Sequence, residues 1–256
     1  MSEHNKTAAS FLDKEFRNYL NLGKISKDAF IYRIFPLNRF YEMFEEQKNT
    51  LVAPKLWDDP YENYVLQSHV ALPTGEYYGF GFKDSYFGQC WTQRTYSDAM
   101  WRIYSPDARS VRVRTTINKL ANSLVAQNPK MKNDTCFIGK VKYQGNANLT
   151  KFSNEVATMQ PSSSLYAETL LRKRNAFSHE KEVRLIFMDT ESKSEGNIYK
   201  YNISTHDLFD QIMIDPRTCK EDFIDIKNAI LRRTKFSGEI TRSSLYDPPP
   251  KLIHIK

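Results

Sequence analysis

The chain has 256 residues, 40% of them hydrophobic and 13% aromatic, enough for one domain with a sizeable core and unlike a disordered or fibrous composition. Its 37 Lys and Arg against 30 Asp and Glu give a net charge of +7, a basic excess compatible with a nucleic-acid partner. No apolar run approaches the roughly 20 residues that span a bilayer, and polar residues 1–10 lack the apolar segment of a signal peptide, so a soluble cytoplasmic protein without a membrane partner is expected.

Phe11, Phe16, Tyr19 and Leu20 recur at helical spacing and predict an N-terminal helix over 10–22. The run FIYRIF (30–35) is β-branched and aromatic and predicts a buried strand ended by Pro36. An amphipathic helix follows over 37–48, with Leu37, Phe40, Tyr41 and Phe44 on one stripe and Asn38 able to cap it. LVAP (51–54) reads as a short strand and WDDPYEN (57–63) as a turn stopped by Pro60. A strand is expected over 86–92. A helix over 97–104, capped by Ser97, places Met100, Trp101 and Tyr104 together.

SVRVRTT (110–116) alternates, with Val111 and Val113 on one face and Arg112 and Arg114 on the other. Residues 136–144 read as one strand. Residues 165–177 read as a helix whose basic end suits its dipole. Strands follow at 180–188 and 197–203, joined as a hairpin through 192–196. A strand at 209–215, a helix at 220–234, a strand at 239–245 and an extended tail complete the chain. The fold class is α+β, with many short strands in a mixed sheet, flanking helices and no internal linker.

Cys90, Cys136 and Cys219 form neither a disulfide framework nor a zinc cluster, and the five histidines have no ligand spacing, so no metal is expected. No phosphate-loop, dinucleotide or nucleophile-elbow glycine motif is present. Residues 81–150 carry eleven bases against four acids; Arg94, Arg102, Arg112 and Arg114 could form a phosphate track, or simply a solvated face.

Three segments can carry chemistry. Tyr32-Arg33 places a guanidinium in an apolar strand, where it needs an anionic partner: a bound phosphate or carboxylate, or a structural acid. Cys90-Trp91-Thr92, with Met100, Trp101 and Tyr104, can wall an aromatic pocket or simply pack a core. In the third segment, period two puts Glu180, Glu182 and Arg184 on one strand face, with Val183, Leu185 and Phe187 on the other. Two carboxylates there serve acid/base work or a developing cation, unless the sheet edge is merely solvated.

These segments, FIYRIFPLNRFYEMFEEQKNTLVAPKLWDDPYE, CWTQRTYSDAMWRIY and FSHEKEVRLIF, resemble a widespread bacterial domain family of unknown function with the pattern YRY…FNDPFE…CFS…W…Y…W…ExExR. Trp57-Asp58 stands for Phe-Asn, Thr92 for Ser and Phe177 for Trp, and QIMIDPR is a weaker echo. That family is in turn similar to the ADP-ribosyltransferase superfamily, including DNA-modifying toxins of toxin–antitoxin systems. The resemblance implies a split mixed sheet in a single domain and NAD as co-substrate. It matches Arg33 to the first-strand Arg, Thr92 to the middle hydroxyl, and Glu180 and Glu182 to the late Glu-x-Glu pair. Glu182 would stabilise the ribose cation, Arg33 would clamp the dinucleotide, and Tyr32, Trp91, Thr92, Met100, Trp101 and Tyr104 would line its site. The implied acceptor is a base of single-stranded RNA or DNA, in a toxin or phage-defence effector held by an antitoxin protein. Competing readings are transfer to a protein side chain, NAD hydrolysis alone, a non-catalytic nucleic-acid binder, and a metal-dependent nuclease using Asp58, Asp59, Glu180 and Glu182.

Overall fold

The computed structural model describes residues 16–249. Its strands are β1 (Tyr19–Leu20), β2 (Phe30–Pro36), β3 (Lys48–Val52), β4 (His69–Ala71), β5 (Tyr77–Gly79), β6 (Tyr86–Thr92), β7 (Ser110–Thr116), β8 (Cys136–Lys140), β9 (Lys142–Gln144), β10 (Arg172–Arg174), β11 (Glu182–Met188), β12 (Ile198–Asn202), β13 (Gln211–Ile214) and β14 (Glu239–Arg242). The helices are α1 (Leu37–Glu46), α2 (Tyr64–Gln67), α3 (Asp98–Tyr104), α4 (Ile117–Val125), α5 (Lys132–Thr135), α6 (Asn146–Thr158), α7 (Ser163–Thr169), α8 (Thr205–Leu208) and α9 (Lys220–Thr234). The chain is therefore α+β, as expected.

One ten-stranded mixed sheet runs β1-β8-β11-β6-β2-β7-β13-β14, with β3 joining β6 and β12 joining β3. Its middle strands are buried on both faces. Val183, Leu185 and Phe187 of β11 point into one core with Phe40 and Phe44 of α1, Ile117 and Leu120 of α4 and Ile230 of α9. Ile186 points into a second core with Leu66 of α2, Phe152 of α6 and Tyr166 of α7. Each fully buried side chain of this size contributes about 1.5–3 kcal/mol, so the two cores hold β11 and β6 rigidly.

The sheet splits beside β6. β2 pairs with it only at Tyr32↔Thr92, and β3 pairs with it only at Val52↔Gly88. Side chains bridge the wedge between. Arg33 Nη1 donates to the Cys90 carbonyl, and Gln89 Nε2 donates to the Thr50 carbonyl over 3.1 Å. Buried backbone acceptors need such partners where a ladder opens.

Several expectations are corrected. Residues 10–15 of the N-terminal helix lie outside the described residues, and in its remainder Tyr19–Leu20 is a strand parallel to β8. Asn18 Nδ2 donates to the carbonyls of Asn133 and Cys136 and ties the segment there. Asn38 caps nothing; Pro36 holds the N-cap of α1, its fixed φ suiting a helix entry. The strand expected at 51–54 is Lys48–Val52, because Pro54 opens a 3-10 turn. The strand expected over 136–144 breaks at Val141 into β8 and β9. The helix expected over 165–177 stops at Thr169, and its basic end, Arg172–Arg174, becomes β10, parallel to β9. β12 pairs with β3 rather than forming a hairpin with β11, so Tyr199 and Tyr201 reach the α1–α4 core. The strand expected over 239–245 ends at Arg242, and the tail beyond residue 249 lies outside the described residues.

Candidate active site

Tyr32, Thr92 and Glu182 stand in one row across β2, β6 and β11, since Thr92 pairs with Tyr32 on one side and with Glu182 on the other. Beside this row Arg33 walls three adjoining cavities of about 70, 280 and 340 Å³. The smallest is lined by Tyr32, Trp91, Thr92, Met100, Tyr104 and Glu182. The cavity of about 280 Å³ is bounded by Glu62, Lys173, Glu180 and Glu182 among others. Arg33 Nε is buried and has no hydrogen-bond partner among the described residues. Burial lowers the Arg33 pKa, offset in part by Cys90, Tyr104 and Glu182.

Glu182 sits at the first position of β11, where Tyr143 Oη accepts its backbone N–H at 2.9 Å. Glu180 does not share that strand face as expected. It ends a 3-10 turn, and Lys181 beyond it has φ 45°, in the left-handed region. Three hydrogen bonds fix this turn: Thr92 Oγ1 donates to the Glu180 carbonyl (2.5 Å), Gln93 N to the Lys181 carbonyl (3.0 Å) and Arg94 Nε to the His179 carbonyl (2.9 Å). Thr92 thus holds the backbone of Glu180, and Arg94 spends its Nε–H on structure.

Two residues that sequence reasoning missed complete the site. Lys173 of β10, only 6% exposed, contacts Glu62 (2.9 Å), Glu180 (2.5 Å) and Glu182 (2.6 Å). Glu62, from the WDDPYEN turn, also meets Arg184 at 2.7 Å, and Arg184 meets Glu182 at 2.7 Å. Glu62 is the final acid of the FNDPFE-like motif, a signal that could have found it; Lys173 lay inside an apparent helix and gave none. Arg184 is fully buried beneath the Trp57 ring, 4.4 Å from its centroid.

The paired carboxylates ionise differently. Burial, with Glu182 beside it, pushes Glu180 up to about 7. Burial also penalises the Glu182 anion, but Arg184 and Lys173 outweigh this and hold it below the usual carboxylate range. Two carboxylates driven apart in this way can act as fixed anion and proton carrier.

Helix α3 supplies the far wall. Ser97 Oγ caps its start by accepting from Met100 N at 3.3 Å, and Tyr104 Oη at its end donates to Glu180 Oε1 at 2.9 Å. Trp101 does not line the cavity with Met100; it is 2% exposed and packed beneath α3. Trp91 contributes to the cavity wall, but its indole belongs to the α1–α4 core and donates to Gln89 Oε1 at 2.9 Å.

Of the four arginines expected to form a phosphate track, Arg94, Arg102, Arg112 and Arg114, the two on β7 are engaged within the fold. Arg112 is buried, stacks 4.3 Å over the Tyr32 ring and donates to the Thr95 carbonyl, and burial pushes its pKa down to about 10. Arg114 pairs with Asp210 at 2.8 Å and stacks on Phe30. Arg102 stays exposed on α3, paired with Asp98 at 2.9 Å. For the nuclease reading, Asp59 pairs with Arg174 at 2.8 Å, and no cluster of three or more His, Cys, Asp or Glu suited to a metal occurs among the described residues. No helix among the described residues is long and apolar enough to cross a membrane.

No curated protein matches the sequence. Among solved structures, Thermus sp. 2.9 DarT in complex with ADP-ribosylated ssDNA aligns over 90% of this chain and 98% of its own, at 10% identity and a TM-score of 0.38. The same protein in complex with NAD+ aligns over 85% and 96%, at 11% identity and a TM-score of 0.37. Residues 100–185, a span that takes in Trp101, Tyr104, Glu180, Glu182 and Arg184, match the family model described as "Protein of unknown function (DUF2971)", in line with the resemblance to an uncharacterised domain family read from the sequence motifs.

Proposed function

We propose that the protein cleaves the ribose–nicotinamide bond of NAD and transfers ADP-ribose to a base of single-stranded nucleic acid. The observation that carries this reading is the cleft walled by both Arg33 and Glu182, with a cation at one side and a buried, ionised carboxylate at the other. As the glycosidic bond breaks, positive charge develops on the ribose. A carboxylate fixed in a low-dielectric cleft stabilises that charge without reorganising. Glu182 fills this role, being held ionised and immobile by Arg184 and Lys173. Arg33 turns its positive charge toward a phosphate of the dinucleotide and orients it. Tyr32, Met100 and Tyr104 enclose the nicotinamide side, with Arg112 bracing the Tyr32 ring.

Glu180, with its pKa near 7, accepts the proton of the attacking acceptor group. Ile103 and Tyr104 line the cavity and are partly exposed, and Arg94 and Lys181 flank the turn that carries Glu180. An aromatic face beside cations suits an unpaired base. An activity that depletes NAD or blocks nucleic acid harms its own cell, so a toxin or phage-defence role under a controlling antitoxin protein, in the cytoplasm, belongs to the same reading. The test is incubation of the full chain with labelled NAD and separate pools of single-stranded DNA, RNA and protein. Label is expected in a nucleic-acid pool and is lost with Glu182→Gln. Label in protein alone moves the acceptor, nicotinamide release without label makes the protein a hydrolase, and neither label nor release overturns the reading.

A further inference from the structure

Four of the buried charges close a ring. Glu62 Oε1 meets Lys173 Nζ at 2.9 Å, Lys173 Nζ meets Glu182 Oε1 at 2.6 Å, Glu182 Oε2 meets Arg184 Nε at 2.7 Å, and Arg184 Nη2 returns to Glu62 Oε2 at 2.7 Å. Two acids and two bases make this ring neutral. Glu180 hangs outside it as the surplus acid, touching Lys173 at 2.5 Å, the Tyr104 hydroxyl and the Glu182 carboxylate.

We propose that Lys173, anchored by Glu62, is a positioning residue for both carboxylates: with Arg184 its ammonium keeps Glu182 a permanent anion inside the neutral ring, and it leaves Glu180 as the group that takes up and returns the proton. The chemical consequence rests on the function proposed above, whereas the placement of the protons does not. Lys173 is no nucleophile here. Three carboxylates hold its proton on and raise its pKa despite burial, so it acts as a fixed charge.

The remaining groups around the pair fit this assignment. Arg33 from β2 and Cys90 from β6 lie toward Glu182, with the Cys90 thiol pushed up by burial and therefore neutral. Tyr104 from α3 and Tyr143 from β9 are likewise raised by burial and stay neutral. His179, on the turn that carries Glu180, is exposed. Asp58 and Asp59 bound the same cavity, Asp59 being paired with Arg174. The Glu180 carboxylate oxygens are therefore faced by Tyr104, by Glu182 and, as their one charged donor among the described residues, by Lys173.

The test is a carbon-13 NMR titration of the full chain labelled at glutamate, with resonances assigned by Glu180→Gln and Glu182→Gln. In the unmutated protein Glu180 is expected to titrate near 7 while Glu182 stays ionised across the folded range. In Lys173→Met the Glu180 titration is expected to move up by about 1–3 pH units, the usual effect of one adjacent opposite charge. Lys173→Arg, which keeps the charge, is expected to restore it. The double variant Glu62→Gln/Lys173→Met keeps the net charge of the cluster and is expected to show the same rise even where the single variant does not fold. Both glutamates titrating near the ordinary value in the unmutated protein, or no rise in the folded variants, overturns the proposal. Nicotinamide release from NAD is followed in parallel. Its absence beside the expected titrations overturns the proposed function and leaves the proton placement standing. Release whose acidic limb does not move in Lys173→Met or the double variant overturns the positioning role alone.

Discussion

Tyr104 Oη donates to Glu180 Oε1 over 2.9 Å, joining the last residue of α3 to a turn 76 positions further along the chain. The contact couples the aromatic wall of the cavity to the carboxyl proposed as its proton carrier. A hydrogen bond to a charged group is worth about 1.5–3 kcal/mol, so Tyr104→Phe is expected to slow nicotinamide release at neutral pH about 10- to 100-fold. Tyr104 is 41% exposed, so water replaces part of the lost bond and the unfolding midpoint should fall by less than that figure implies. An unchanged rate would show that this bond plays no part in turnover.

Stability should carry the signature of Glu180. Its folded pKa of about 7 lies above the roughly 4.3 of an unfolded glutamate. Below about pH 4 both states hold the proton and the group contributes nothing. As pH rises toward 7 the unfolded chain ionises first, so native stability falls across that window and is level above it. Replacing the carboxyl removes the loss. Glu180→Gln, whose oxygen can face Lys173 and whose amide can face Tyr104, is expected to stabilise the fold by about 1–2 kcal/mol at pH 8, after screening through the cavity mouth, and to change little at pH 4. Denaturant unfolding at the two pH values checks this, and equal shifts at both refute it.

Asp215 and Arg217, in the QIMIDPR segment, latch α3 from below. Asp215 is fully buried; it accepts from Ser105 Oγ at 2.7 Å and pairs with Arg217 at 2.7 Å, while Arg217 also donates to the carbonyls of Trp101 and Ser105 at the end of α3. Arg217→Met strips the main partner from a buried carboxylate, which costs about 3–5 kcal/mol. The expected result is a lower unfolding midpoint together with a raised KM for NAD, as Met100 and Tyr104 lose their footing. A midpoint within error of the unmutated protein removes the latch.

Gly88 admits the Trp57 ring against the sheet. A Cβ at Gly88 would lie 2.7 Å from Trp57 Cζ2, so the ring must shift, and it is the ring stacked on Arg184. Gly88→Ala is expected to cost about 1–3 kcal/mol and to red-shift tryptophan emission. Retention of both stability and emission would mean that the indole has somewhere else to go.

Local pattern made much of this fold legible. β6, β7 and α9 have the bounds that alternation, apolar content and helical spacing predict, and Ser97 caps α3 as its position before the apolar turn suggests. Arg33 is legible because a charge in an apolar strand needs a reason, and it lines the cleft. The hidden parts depend on partners distant in sequence. Glu62 and Arg184 are 122 positions apart. Lys173 follows a helix and carries a helix-compatible sequence; pairing with β9, 30 positions earlier in the chain, makes β10 a strand and sets Lys173 among three acids. Glu180 leaves the expected alternation because loop groups from Thr92 to Arg94 seize the backbone before it can extend. Arg112 and Arg114 alternate as read, but stacking on Tyr32 and Phe30 and bonds to Thr95 and Asp210 consume what spacing alone presents as free charge.

Because Arg33 lines three adjoining cavities, inhibitor chemistry has one anchor with three directions of growth. An acidic fragment seated there from any side can be elaborated toward the other two without a second anion. Resistance by substitution at position 33 would also discard the clamp that the proposed chemistry requires, so the escape route and the activity are lost together.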